Sequence, residues 1–220
     1  MRGRYRERRE RGRERERNLA MLEGLRAVVD VQHLYRPSKP MDRGAVFTLM
    51  DGTKTTEASA VLIYAAALRA WLEARGARVM TNDPARGVLV GPYSRRHRAA
   101  DAWDAHAYLA CHLNAGGGSY CLMEHMSMAQ GRVLAEAIGP KVVEAFPQIS
   151  ATQTRSLTDG DRGAVCIREV PGRIAAVICE PFFGDTKTHQ SILAAPELSR
   201  LGEAIGAGVM EWWRARATPA

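Results

Sequence analysis

Four residues of this 220-residue chain have types and settings suited to hydrolytic metal chemistry: His33, Glu57, His112 and Glu180. His33 follows the run VVDVQ, His112 lies within AYLACHLN, Glu180 ends IAAVICE, and Glu57 opens a helical stretch. Two histidines and a carboxylate are a frequent ligand set for catalytic zinc, with a fourth position left to water. A further carboxylate can then carry protons to and from the reacting groups. Each residue also has an ordinary explanation. His33 can simply close a strand, Glu57 complements a helix dipole in a first turn, and His112 among apolar neighbours reads as a satisfied buried histidine. Glu180 is the hardest to explain in this way, because an apolar strand has little use for a terminal carboxylate. The four are too far apart in sequence to form a local motif, so the elements around them must bring them together.

Those elements alternate between strands and helices. Strands are expected at 26–32 (RAVVDVQ), 77–81, 107–113 and 174–180, with a further one at 165–169. Helices are expected at 57–75, 95–106, 127–146 (loosened at Gly139-Pro140) and 196–216. In the first helix Val61, Tyr64, Ala65, Leu68, Trp71 and Leu72 follow a 3.6-residue period, Thr55 or Thr56 can cap its start, and Gly76 can end it. Continuous apolar strands alternating with helices predict a single α/β domain, a mostly parallel central sheet covered by helices on both faces. In such sheets, functional residues gather at the carboxyl ends of the strands, where His33, His112 and Glu180 are placed.

The formal net charge of +7 is concentrated at one end. Residues 1–17 hold nine Arg and four Glu, which leaves only +2 for the rest. A basic fold that wraps nucleic acid is therefore not expected, and residues 1–20 read as a disordered Arg/Glu-rich tail ahead of a domain at 21–220. The four cysteines (111, 121, 166 and 179) have no metal-binding spacing and read as small buried thiols. There is no signal-peptide pattern and no stretch of about 20 apolar residues, so a cytoplasmic chain without a membrane span is expected. His97 and His106 read as surface residues, Trp212-Trp213 as core with one exposed ring, and His125 and His189 could add a metal or shuttle group, although lone histidines usually do neither.

In order and context, these passages resemble the zinc-dependent N-acetylmuramoyl-L-alanine amidases of cell-wall lysis and remodelling. VVDVQHLYRPSKPMDRGA (residues 28–45) is similar to the family's first strand, histidine and Gly-Ala loop. EARGARVMTND (73–83) is similar to its helix-to-strand passage, and RRHRAADAWDAHAYLACHLNAG (95–116) to its second histidine strand. RIAAVICEPFFGD (173–185) is similar to the strand that ends in the catalytic glutamate. The chain departs from the family in having Gln32-His33-Leu34-Tyr35 where a Gly-His-Gly-Gly context is usual, Ala110 where Ser is usual, and Thr81-Asn82 in place of Thr-Arg.

The resemblance implies that His33, Glu57 and His112 bind one zinc ion and that Glu180 is the catalytic acid/base. Asn114, with the Gly116–Ser119 loop, and Tyr35 are the candidate substrate contacts. The implied substrate is peptidoglycan, cut at the amide between the lactyl group of N-acetylmuramic acid and L-alanine. A monomer that acts on the wall after release from the cytoplasm, as a phage-type lysin does, fits the lack of an export signal. Two other readings stay open at this level: a zinc peptidase or amidohydrolase on a small amide, and a non-catalytic wall- or nucleic-acid-binding protein.

Overall fold

A computed structural model describes residues 21–33, 42–82, 91–127 and 129–217. The expected tail at 1–20 and the candidate Tyr35 lie outside the described residues. In chain order the elements are β1 (Arg26–Val31), β2 (Val46–Thr48), β3 (Lys54–Thr56), α1 (Glu57–Glu73), β4 (Arg78–Thr81), α2 (Tyr93–Ala102) and β5 (Ala107–Cys111). They continue with β6 (Cys121–Met126), α3 (Ala129–Ala145), β7 (Thr152–Leu157), β8 (Ala175–Glu180) and α4 (Ala195–Ala217). Short 3₁₀ turns occupy Ala164–Cys166 and Lys187–Leu193.

Six strands form one sheet in the order β4-β1-β5-β8-β6-β7, and β2 and β3 form a separate antiparallel hairpin. All neighbours in the large sheet are parallel except β6 and β8, which run antiparallel. Alternation along the strands divides the core. Ala27, Val29 and Val31 of β1, Leu109 of β5 and Val177 of β8 join one cluster with α1, α3 and α4. Val28, Tyr108, Ala110 and Ile178 join the other, with Ala100 of α2 and Ile167. From β1 the chain crosses to β4 through α1, on the first face. It returns to β5 through α2, on the second. β1 thus lies between β4 and β5, all three parallel, and the segments leaving β1 and β5 start from the same carboxyl edge of the sheet, the edge at which open α/β sheets place ligands.

Several elements differ from expectation, among them the β2–β3 hairpin, which lies where no strand was expected. β6 (CLMEHM) was not anticipated because Met, Leu and Glu favour helix over strand, yet five of its six residues are buried between β8 and β7. β7 (TQTRSL) has four exposed residues and follows the polar habit of an edge strand. The expected strand at 165–169 is instead the turn at Ala164–Cys166, entered through Gly163 at φ 95°. The helix α3 runs through Pro140 without interruption. His97 is buried rather than at the surface, because its Nε2 pairs with the Cys166 carbonyl at 2.8 Å. His106 is partly buried, accepting from the Arg26 amide at 3.0 Å and packing on Trp213. Trp212 is buried and Trp213 partly so. All four cysteines are free and buried.

Helices α1 and α4 meet at Gly202. A methyl group there would sit 2.6 Å from the Leu68 backbone nitrogen, and closer still to the Tyr64 carbonyl. Alanine raises intrinsic helix stability by about 1 kcal/mol over glycine, but forcing a methyl against backbone costs about 1–3 kcal/mol. Gly202→Ala is expected to lower the unfolding free energy in urea denaturation; a gain would show that the two helices are not in this close contact.

Candidate active site

The site is built around one carboxylate. Thr56 ends β3 and caps α1 by accepting the Ser59 amide at 3.2 Å, so Glu57 is fixed at the first helical position. The hairpin and the loop before it satisfy the helix start: the Glu57 amide donates to the Ala45 carbonyl at 2.8 Å and the Ala58 amide to the Arg43 carbonyl at 3.2 Å. The side chain turns back over this loop, where Oε2 accepts the Ala45 amide at 3.0 Å. Gly44 lies beneath it at φ 65°, and a methyl group there would collide with Glu57 Oε2. The Gly-Ala pair singled out in the sequence thus has a physical reason: only glycine fits under the carboxylate.

Glu57 Oε1 accepts the Leu113 amide at 3.0 Å and lies 3.0 Å from His112 Nδ1 and 3.1 Å from His33 Nε2. The two ring nitrogens are 3.3 Å apart. These three atoms form a nearly equilateral triangle. Ligands about 2.0–2.1 Å from zinc at tetrahedral angles are about 3.3–3.4 Å from one another, so the donor set and its spacing fit such an ion. Among the described residues this is the one group of three or more His, Cys, Asp or Glu side chains placed to hold a metal. His125 and His189 stand apart from it. Nδ1 of His125 lies 2.6 Å from the Met126 carbonyl oxygen, and Nδ1 of His189 accepts the Phe183 amide at 3.3 Å.

Each histidine is held from behind. His33 follows β1 at φ 65°, a left-handed conformation rare for non-glycine residues. Asn82 grips the chain just before it, accepting the Val31 amide at 2.6 Å and donating to its carbonyl at 2.7 Å. The Asp42 carboxylate lies 3.3 Å from His33 Nδ1. His112 is fixed in main chain by its amide on the Cys179 carbonyl at 2.9 Å and by the Tyr64 hydroxyl, which donates to its carbonyl at 2.8 Å. Burial works against a charge on His112, but hydrogen bonds to Cys166 and Glu57 overcome it and push its pKa up to about 10. Burial likewise works against charge on Glu57, and the two histidines hold its carboxyl well below the ordinary carboxylate range.

Glu180, at the end of β8, faces the same cleft of about 1020 Å³. Burial, reinforced by the neighbouring Glu124 carboxylate, pushes its pKa up to about 7 from 4.5. Glu124, on β6, is buried and paired with Arg155. Asn114 also lines the cleft, but its side chain is engaged locally: Oδ1 accepts the Ala115 amide at 2.8 Å. The amides of Gly116 and Gly117 donate to the Asp185 carboxylate at 2.7 and 3.2 Å.

The structure therefore brings His33, Glu57, His112, Asn114 and Glu180 to one cleft. Sequence reasoning missed Asp42, Glu124, Arg155, Arg162 and Cys166, which line it as well. For Glu124 a signal existed, since a carboxylate inside the apolar run CLMEHM is as unusual as the one that marked Glu180.

The family model of the N-acetylmuramoyl-L-alanine amidases matches residues 28–211. Similar solved structures include the CwlD amidase from Clostridioides difficile in complex with the GerS lipoprotein, with 16% identity over 87% of this chain and 100% of that one and a TM-score of 0.70. The amidase AmiC2 of Nostoc punctiforme is 20% identical over 87% of this chain and 99% of that one, with a TM-score of 0.66. Cwp6 from Clostridium difficile is 19% identical over 86% of this chain, with a TM-score of 0.69, and this chain spans only 29% of its length. At such identities these likenesses establish the fold. No curated protein sequence matches the chain. Because the family match takes in nearly all of the described sheet, its covering helices and the four residues gathered in the cleft, the chain belongs to the N-acetylmuramoyl-L-alanine amidase family.

Proposed function

We propose that this chain is a zinc-dependent hydrolase that cleaves the amide between the lactyl group of N-acetylmuramic acid and L-alanine in peptidoglycan. The observation that carries the reading is the His33–Glu57–His112 triangle facing the same cleft as the elevated Glu180 carboxyl. His33 Nε2, Glu57 Oε1 and His112 Nδ1 would hold the ion. When bound, zinc supplies Lewis acidity that acidifies a water and polarises a carbonyl.

The remaining work falls to the chain. Glu57 is kept ionised by its histidine neighbours, as a ligand must be. Glu180 accepts the proton of the attacking water and returns it to the departing alanine nitrogen, because an amine leaves readily only when protonated. A carboxyl near pKa 7 can do both at neutral pH, whereas one at 4.5 would accept the proton poorly. Asn114 and the glycine loop border the groove where sugar and peptide would lie. Among the described residues no helix is long and apolar enough to cross a membrane.

Purified peptidoglycan provides the test. Chelator-sensitive appearance of free alanine amino groups, without new reducing sugar ends, is the expected result; folded, zinc-loaded protein that releases none from walls of several chemotypes would overturn the proposal. Glu180→Gln is expected to retain zinc while turnover falls by a factor on the order of 10²–10⁴, and full turnover in that variant would remove Glu180 from the reaction. His112→Ala is expected to lose stoichiometric zinc.

Two pH effects follow. Activity needs Glu180 ionised, so kcat/KM is expected to fall as pH drops through its pKa. A nearby cation favours the carboxylate, which places the midpoint of that acidic limb below 7 in the metal-loaded protein; a limb that persists unchanged in Glu180→Gln would assign it to another group. Metal-free His112 is protonated at pH 8, below its pKa of about 10, and must release that proton to bind a metal through Nδ1. Calorimetry of zinc binding in buffers of different ionisation heat is expected to show about one proton released at pH 8; no release would contradict the raised proton affinity.

A further inference from the structure

His33 and His112 are backed differently. The ring nitrogen of His33 turned away from the triangle lies near the Asp42 carboxylate, while that of His112, Nε2, lies 3.6 Å from the sulfur of Cys166. Cys166 belongs to a chain of hydrogen bonds that begins at a buried acceptor. Asp30 is fully buried beneath the site, and its carboxylate accepts Arg96 Nη1 at 2.8 Å and the Tyr108 hydroxyl. A carboxylate in this setting only accepts. Gln32 therefore turns its amide nitrogen to Asp30, donating at 2.7 Å, and presents its oxygen on the other side. That oxygen accepts the Tyr93 hydroxyl at 2.8 Å and the Cys166 thiol at 3.9 Å. With its proton committed to Gln32, the sulfur faces His112 with lone pairs, so Nε2 must carry the proton. A neutral imidazole protonated at Nε2 has its lone pair at Nδ1, the nitrogen in the triangle with Glu57 and His33.

We propose that Cys166 is a positioning residue. Oriented by Asp30 through Gln32, it fixes the tautomer and ring direction of His112 so that Nδ1 is presented to zinc. The inference rests on the reading of His33, Glu57 and His112 as the zinc ligands. It assigns the thiol no bond to the metal: its sulfur lies on the far side of the ring, and it is outside the group placed to bind an ion. Polarity propagates through the chain because each member has one orientation that satisfies its neighbour, and a buried member left without its partner is costly.

The test measures zinc affinity, by competition with a chromophoric chelator, in the full chain and in Cys166→Ser, Cys166→Ala and Cys166→Val, each checked for cooperative thermal unfolding. A hydroxyl keeps a donor and an acceptor at this position, whereas Ala and Val keep neither. Loss of an outer partner of a metal-binding histidine weakens affinity by about tenfold to 100-fold. Cys166→Ala and Cys166→Val are expected to show that loss, with Cys166→Ser within about threefold of the parent. In the zinc-loaded protein, the His112 Nε2 proton is expected as a slowly exchanging resonance that Cys166→Ser keeps and Cys166→Val loses. If the thiol served only as apolar filling, the order would reverse, with Val best tolerated and Ser worst. That order, or equal affinity in all four proteins, would overturn the proposal. A serine variant that loses zinc as completely as alanine would also overturn it. A parent chain that takes up no zinc would remove this inference together with the ligand assignment, whereas a parent that binds zinc equally with its variants would remove this inference alone.

Discussion

The placement of a single carboxylate at the start of a helix organises this molecule. Glu57 spends its two oxygens on four partners: the amides of Ala45 and Leu113 and the rings of His33 and His112. These come from three separate stretches of chain, so the carboxylate is the point at which the loop before β2 and the segments that follow β1 and β5 are tied into one site. The demands this makes on the sequence are specific. A capping threonine must precede it, a glycine must lie under it, and the helix must pack firmly enough to keep its first turn in place. The buried face of α1 against α4 meets the last demand through residues such as Val61, Leu68 and Leu72, all fully buried.

A second theme is the separation of two carboxylates by environment. Glu57 and Glu180 border the same cleft, yet one is surrounded by imidazoles and amides and the other by apolar walls and another acid. Their proton affinities are driven apart, which is how one residue type fills a permanently charged role and a proton-exchanging role within a single site. Glu124 contributes from β6, the antiparallel neighbour of β8, so the strand that sequence patterning overlooked is part of what sets Glu180 apart.

How far the sequence could be read depended on which interactions leave a local trace. β1, β5 and β8 were legible because strands buried on both faces read as unbroken apolar runs. The helix α1 was legible because its apolar period and its cap coincide. Three of the site residues were visible as polar residues at the ends of such strands, and Glu57 became distinctive only through its order relative to them. β6 was obscured by helix-favouring residues whose conformation is decided by neighbours on both sides, and β7 by edge-strand polarity. Cys166 had no legible signal. Its significance comes from a turn that places it against two residues, Gln32 and His112, that lie 134 and 54 positions away. Gln32 looked in sequence like a departure from a glycine-rich context; in three dimensions, its amide is the hinge of a polarity chain. Asn82 was also a departure, and its side-chain amide closes the ladder beyond the last residue of β1.

The glycine loop after β5 has a consequence for engineering. Its Gly116 and Gly117 amides are capped by Asp185, and Thr186 donates to the Gly118 carbonyl at 2.7 Å. Asn114 pairs in main chain with Phe182 and Gly184, and a side chain at Gly118 would strike the Phe183 ring. The loops that follow β5 and β8 are thus interlocked and behave as one cassette. Grafting either loop alone from a relative would strand a carboxylate or a pair of amides without its counterpart. Remodelling this rim of the cleft therefore calls for exchanging residues 114–119 and 181–186 together, as a matched pair.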